Sequence, residues 1–263
     1  MTERAANLTP AERRDLIVKA VQERECVSVN ALAKVLKISK ETIRRDLTQL
    51  AAQNRIRKVH GGATLSDPRT GGLNVEGAFQ ARLAENTAAK RAIARRAFEL
   101  FEPGDTLFID TGTTTLYFAE ELAAARGLTV MTNSSAIAGF ASRGPSNTTY
   151  LIGGEYRGDS TENLGPAAIE QISRFHALHA VLSVGSIDAN GVFDFDWKEA
   201  DVARAMIAQS RSVTLLADTS KFGRGGLIKI APLSAISRIV SDGKPPNEVG
   251  AALKNAQVKV IVA

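Results

Sequence analysis

Apolar positions change their rhythm along this chain. Between residues 10 and 50 they recur every three or four residues: Leu16, Ile17, Ala20 and Val21, then Leu32, Ala33, Val35 and Leu36, then Ile43, Leu47 and Leu50. That spacing places each group on one face of an amphipathic helix, so three short helices are expected. Start signals agree. Thr9, Pro10 and Glu12 offer an N-cap, a first-position proline and a capping-box acid. Asn30 and Ser39 are the candidate caps of the second and third helices, with Lys37 and Ile38 as the turn between them. After the third helix, "RIRKVHGGATL" alternates in strand fashion around Gly61-Gly62 and predicts a two-stranded wing.

Residues 66–77, "SDPRTGGLNVEG", are rich in Gly, Pro and polar side chains and read as a linker. A helical pattern returns from about Phe79, is strongest in "TAAKRAIARRAFELF", and breaks at "EPGD". Short apolar, β-branched runs then follow at 106–109, 128–132, 149–152, 180–184, 213–217, 239–241 and 258–262, with helical stretches between most of them. Such alternation predicts an α/β domain built on a largely parallel sheet. The expected organisation is a small helical module at 1–65, a linker at 66–77 and an α/β domain at 78–263.

Composition is that of a globular protein, with 44% hydrophobic and 23% charged residues. Charge is uneven. Residues 1–65 hold 13 Lys and Arg against 7 Asp and Glu, a net of +6, whereas residues 66–263 hold 20 against 21, a net of −1. The asymmetry points to a polyanion-binding module joined to a near-neutral domain. The single cysteine, Cys26, rules out an internal disulfide. The first residues carry no apolar signal core, and no run approaches the ~18 apolar residues of a membrane span, so a cytoplasmic protein with no membrane partner is expected. His60, His176, His179 and Cys26 show no metal-ligand spacing, and no cofactor motif is present.

The face of the third helix opposite Ile43, Leu47 and Leu50 carries Glu41, Arg45 and Thr48, flanked by Thr42, Gln49 and Arg44. Polar side chains near a helix start, after a tight turn, fit the recognition helix of a helix-turn-helix. Ser39, Lys40, Glu41, Thr42, Arg44 and Arg45 are the candidate contacts to double-stranded DNA, with Arg55, Arg57, Lys58 and His60 of the wing directed at its backbone.

In the α/β domain, small or polar residues cluster after the strands, where open parallel sheets bind ligands. Asp110, Thr111, Gly112, Thr113, Thr114 and Thr115 follow the first; Asn133 and Ser134 the second; Gly154, Glu155 and Arg157 the third; Gly185 and Asp188 the fourth; Lys221 the fifth. Threonine hydroxyls and a glycine at the start of a helix suit a phosphate, since the helix dipole and its first N–H groups favour an anion. The loop lacks the lysine of a Walker A motif, and Lys221 and Arg157 are the candidate replacement charges.

These words together resemble the DeoR family of bacterial transcriptional repressors. "S-x-x-T-I-R-R-D-L" (Ser39 to Leu47) and "H-G-G-A" (His60 to Ala63) are similar to its winged helix-turn-helix, and "D-x-G-T-T-T", "T-N-S", "G-G-E-x-R" and "D-x-S-K-F-G" to its sensor domain. The resemblance covers nearly the whole chain. It implies a sensor domain similar in fold to ribose-5-phosphate isomerase, a self-associating dimer or tetramer, and release from operator DNA by a phosphorylated sugar or polyol. "FDFDWKEADVARAMI" and "LLADTSKFGRGG" look like the glycerol-3-phosphate regulon repressor branch, which adds Asp196 and Glu199 to the implied effector contacts beside Lys221. The chain departs from the family pattern at Ser183–Asp188, where the glycines are displaced, and at His179, where an aspartate is usual. The expected effector is therefore glycerol 3-phosphate or a phosphorylated pentose or tetritol. The rival reading is a sugar-phosphate isomerase-like enzyme carrying a DNA-binding module, with Asp188, Glu199 and Lys221 as acid, base and phosphate group.

Overall fold

A computed structural model describes residues 9–24, 26–52, 56–59, 62–65 and 79–263. The chain divides into two compact units, Met1–Val75 and Glu76–Ala263. The expected linker at 66–77 lies outside the described residues, as do Arg55 and His60.

In the first unit α1 (Pro10–Arg24), β1 (Cys26–Ser28), α2 (Val29–Leu36), α3 (Lys40–Ala52), β2 (Ile56–Val59) and β3 (Gly62–Leu65) follow in order. Pro10 opens α1 as its fixed φ favours; the Glu12 side chain lies outside the described residues. Ser28, not Asn30, caps α2: its hydroxyl accepts the Ala31 N–H at 3.1 Å, and Asn30 is already inside the helix. Lys37 ends α2 in the left-handed region at φ 53°. Ser39 then caps α3, accepting the Thr42 N–H at 3.1 Å. Ile17, Val21, Leu32, Ile43, Leu47 and Leu50 close one core with Ile56 and Ala63. Two expected core residues face solvent, Val35 at 64% exposure and Leu16 at 40%. Each sits at the margin of an apolar stripe wider than the contact it meets. The expected hairpin gains a third strand, because β1 pairs antiparallel with β3 in the order β1-β3-β2.

The second unit opens with α4 (Phe79–Ala84) and α5 (Thr87–Phe98). There follow β4 (Thr106–Ile109), α6 (Thr113–Leu122), β5 (Thr129–Thr132), α7 (Ser135–Ala141), β6 (Thr148–Leu151), β7 (Glu155–Arg157), β8 (Glu162–Leu164) and α8 (Pro166–Ile172). Then come β9 (Ala177–Leu182), β10 (Ser186–Asp188), β11 (Gly191–Asp194), α9 (Trp197–Ala208), β12 (Ser210–Leu216), β13 (Ile228–Ala231), β14 (Arg238–Ser241), α10 (Asn247–Asn255) and β15 (Lys259–Val262). The seven runs expected as strands are the seven strands of one parallel sheet, in the order β15-β14-β12-β9-β4-β5-β6.

Both faces of the central part of that sheet are covered, so its inner strands are largely apolar, whereas the edge strand β6 leaves Tyr150 and Leu151 exposed. Leu107, Ile109, Val181, Leu216 and Val240 join the core under α5, α6 and α7. Their sequence neighbours Phe108, Ala180, Leu182, Leu215 and Ile239 join the other, under α8, α9 and α10. The chain runs outward from β4 to β6 and then returns to lay β9 on the far side of β4. Connections leaving β4 and β9 therefore diverge, and a crevice opens at the carboxyl ends of this pair.

Candidate functional site

Two sites emerge, one in each unit. On α3, Lys40, Glu41, Arg44, Arg45 and Thr48 are exposed, and Ile43, Leu47 and Leu50 are buried. Ser39 and Thr42 share a hydroxyl hydrogen bond at 2.8 Å, and Arg44 pairs with Glu41 at 3.5 Å. Arg57 and Lys58 belong to β2, and their side chains lie outside the described residues. Asp46, within the same polar run, behaves differently. It is 5% exposed and holds the Arg13 guanidinium in a two-pronged ion pair, one prong at 2.9 Å, tying α1 to α3. The sequence signal was present: Asp46 lies three residues after Ile43 and four before Leu50, on the buried face.

In the second unit a solvent-open cleft lies at the β4–β9 crevice, lined by Arg82, Thr111, Thr113, Thr114, Ser183, Val184, Gly185, Asp194, Glu199 and Lys221. It brings together six of the residues expected from sequence: Thr111, Thr113, Thr114, Gly185, Glu199 and Lys221. Thr113 and Thr114 occupy the first turn of α6, whose leading N–H groups have no acceptor within the helix. Thr111 Oγ1, also in the cleft wall, is buried and without a hydrogen-bond partner. Lys221 arrives from a short 3₁₀ turn (Thr219–Lys221) that the Asp218 carboxylate caps through the Ser220 N–H at 3.0 Å.

Other expected contacts hold the walls of the site instead. Asp110 is buried, and its carboxylate accepts the Ser183 N–H at 3.0 and 3.1 Å, clamping the β4 and β9 connections together. Burial raises its pKa well above the usual carboxylate range; the Ser183 N–H opposes that shift, and Asp194 adds to it. Gly112 is required there because a Cβ would fall 1.7 Å from Ser183 Oγ. Thr115, fully buried, donates its hydroxyl to the Asp110 carbonyl at 3.0 Å and the Gly112 carbonyl at 3.1 Å, so it is a corner brace and not a ligand donor. Asn133 Nδ2 donates to the Asn163 carbonyl at 3.1 Å, and Ser134 caps α7 by accepting the Ile137 N–H at 3.4 Å. Gly154 passes the Leu164 carbonyl where a Cβ would approach to 2.6 Å, and Glu155 is exposed and paired with Lys198 at 2.6 Å.

Two corrections bear on chemistry. Arg157, the candidate phosphate charge, is enclosed by carboxylates: Glu199 at 2.7 Å, Asp196 at 2.9 Å and Glu162 at 3.2 Å. Burial opposes its charge, and the three acids outweigh burial and raise its pKa. Asp188 closes the β10–β11 turn by accepting the Asn190 N–H at 2.7 Å and the Gly191 N–H at 3.2 Å. It does not line the cleft, which removes the proposed acid of an isomerase. Asp196 also caps α9, accepting the Lys198 N–H at 2.8 Å and the Glu199 N–H at 3.3 Å. Arg82, Ser183, Val184 and Asp194 were not anticipated in the cleft. A polar loop after a strand gives no sign of which neighbour it faces, and Arg82 lies upstream of every strand of the second unit. Among the described residues, no group of His, Cys, Asp or Glu is arranged to hold a metal ion, and no helix is long and apolar enough to cross a membrane.

Known families match both units. The DeoR-like helix-turn-helix domain matches residues 13–69, and the DeoR C terminal sensor domain matches residues 85–243. The HTH-type transcriptional repressor CsqR of Escherichia coli is 31% identical over 97% of this chain and 96% of its own. The glycerol-3-phosphate regulon repressor of Escherichia coli is 33% identical over 95% and 97% respectively. Among solved structures, ribose 5 phosphate isomerase A from Neisseria gonorrhoeae aligns with a TM-score of 0.37 at 16% identity, over 51% of this chain and 53% of that one. The family matches, spanning both units, and the relatives aligned from end to end place the chain among regulators and not enzymes. It belongs to the DeoR family of helix-turn-helix transcriptional repressors.

Proposed function

We propose that the chain represses a sugar or polyol catabolic operon and is released from its operator when a phosphorylated sugar or polyol enters the cleft. The observation that carries this reading is the buried, unpartnered Thr111 hydroxyl beside the first turn of α6, in one cleft with Lys221. A phosphate would supply an acceptor to the Thr111 hydroxyl and the leading α6 N–H groups, and its charge suits the nearby Lys221. In this reading Ser39, Lys40, Thr42, Arg44 and Arg45 contact DNA from residues 1–65, residues 66–77 link the parts, and residues 78–263 sense the effector and self-associate. A relative named for the glycerol-3-phosphate regulon supports a phosphate ester as the effector class. Release by 100-fold needs a coupling of only ~2.7 kcal/mol, within the ordinary allosteric range.

A thermal-shift screen tests the proposal with glycerol 3-phosphate, ribose 5-phosphate and erythritol 4-phosphate, each beside its dephosphorylated parent. Stabilisation by an ester and not by its parent is expected, together with loss of operator binding in a mobility-shift assay. Equal stabilisation by the parent alcohol refutes the phosphate cradle.

A further inference from the structure

α4 is the first described element after residues 66–78, and it is a six-residue helix with no buried residue. Apolar packing therefore does little to fix it; polar contacts do the rest. The Lys90 ammonium, 3% exposed, donates to the Arg82 carbonyl and, at 2.8 Å, to the Glu85 carbonyl at the end of α4. Tyr117 Oη of α6 donates to the Leu83 carbonyl at 3.3 Å, and Leu83 rests partly buried against the core under α5 and α6. Burial pulls the Lys90 pKa down; Asp218 opposes this, and Lys221 acts in the same sense as burial. An ammonium kept inside a core at that cost has hydrogen bonds worth keeping.

The same contacts lead to the cleft. Asn86, just after α4, donates to Asp218 Oδ1 at 3.2 Å, and Asp218 caps the turn that carries Lys221. From α4 itself, Arg82 reaches the cleft wall, its guanidinium 5.6 Å from the Phe79 ring centroid. Every other residue of that wall lies downstream of β4. Through the chain, α4 leads directly back into residues 66–78.

We infer that α4 is the relay between effector and DNA-binding unit. An anion in the cleft draws the Arg82 side chain onto itself and Lys90 latches the carboxyl end of the helix, so binding fixes α4, the described element of the second unit that stands nearest in sequence to the DNA-binding unit. An element with no buried residue has a small local opening free energy, so modest differential binding moves its population. The inference rests on the phosphate reading of the cleft.

Amide hydrogen exchange on the full chain tests it, with glycerol 3-phosphate, ribose 5-phosphate and inorganic phosphate as probes. In the wild type, a probe that protects residues 111–115 is expected to slow exchange across 79–86 by about fivefold or more. Arg82→Gln should abolish the slowing at 79–86. Lys90→Met should raise exchange there even without a probe, and should shift the operator-release midpoint about tenfold further than it shifts the probe's Kd. Protection at 111–115 with none at 79–86 leaves the phosphate cleft standing and overturns the relay. No protection at 111–115 by any probe overturns both. If Lys90→Met fails to fold, the half-buried cleft-wall variant Arg82→Gln decides alone: slowing at 79–86 that persists in it refutes the relay.

Discussion

Gly112→Ala offers a direct test of how the cleft is built. An alanine Cβ at this position would lie 1.7 Å from Ser183 Oγ and 2.7 Å from Ser183 Cβ. The hydroxyl can rotate away, but the Cβ cannot, since the Ser183 N–H is held at 3.0 Å by the buried Asp110 carboxylate. Relief therefore requires the β4 and β9 connections to separate. Overpacking a tight contact costs ~1–3 kcal/mol, and leaving the buried Ser183 N–H without its acceptor costs ~1–3 kcal/mol. The two overlap, because the movement that relieves the clash is the one that breaks the bond, so a loss of about 3 kcal/mol is expected. For a unit of this size that lowers Tm by roughly 6–12 °C. Ser183→Gly removes both clashing atoms, so the double variant should regain at least ~1.5 kcal/mol as a favourable coupling. Urea unfolding followed by the fluorescence of Trp197, the single tryptophan, reports the second unit alone. A single variant within ~0.5 kcal/mol of wild type, or a double variant no better than the single, would refute the packing argument.

Three further outcomes are expected. Arg44→Ala and Arg45→Ala should each weaken operator binding by ~1–3 kcal/mol in fluorescence anisotropy, and log affinity should fall with log salt at ~0.9 per phosphate neutralised; unchanged affinity in both variants removes α3 from the DNA. Lys221→Met and Thr113→Val should each cost ~1.5–3 kcal/mol of effector affinity by calorimetry, whereas Thr115→Val should instead cost ~1 kcal/mol of stability; a Thr115→Val protein with normal stability and weak effector binding would reverse that assignment. Asp110 has a folded pKa above its unfolded one, so its contribution is present below about pH 4 and is lost as pH rises through the folded value. Asp110→Asn should therefore flatten the fall of stability with rising pH, and a difference from wild type that stays constant with pH would sink the point.

Periodicity carried most of the fold. Seven apolar runs marked the seven parallel strands, because strands buried on both faces favour β-branched and aliphatic sequence. The short antiparallel strands β7, β8, β10, β11 and β13 were missed. They mix charged or polar residues with apolar ones, as in Glu155-Tyr156-Arg157 and Glu162-Asn163-Leu164, so no apolar run marks them, and the turns beside them use Gly154 and Gly191 for close backbone passage. In the site, residue type was legible but partnership was not. Thr111, Thr113, Thr114 and Thr115 are alike in sequence, yet Thr115 alone is one helical turn inside the corner and meets the Asp110 and Gly112 carbonyls. Arg157 read as an available cation because its three acids lie 5, 39 and 42 residues away. Which charges meet is a tertiary fact, and one sequence without its fold contains no measure of it.

That distribution of charge narrows the effector further. Thr113 and Thr114 come from α6 on one face of the sheet, and Glu199 comes from α9 on the other. The α6 side offers N–H groups, hydroxyls and Lys221. The α9 side offers carboxylates, and Arg157 is already shared among Glu162, Asp196 and Glu199. A carboxylate accepts hydrogen bonds from hydroxyls and repels a second anion. The two walls together suit a ligand with a phosphate at one end and hydroxyls at the other. A bisphosphate would set its second anion against Glu199 and Asp194, where a like-charge contact costs several kcal/mol. Calorimetry should therefore find any sugar monophosphate that binds to be at least about tenfold tighter than its bisphosphate, and Glu199→Gln should narrow the gap. A bisphosphate that binds as well as its monophosphate would mean that the acidic wall does not face the ligand.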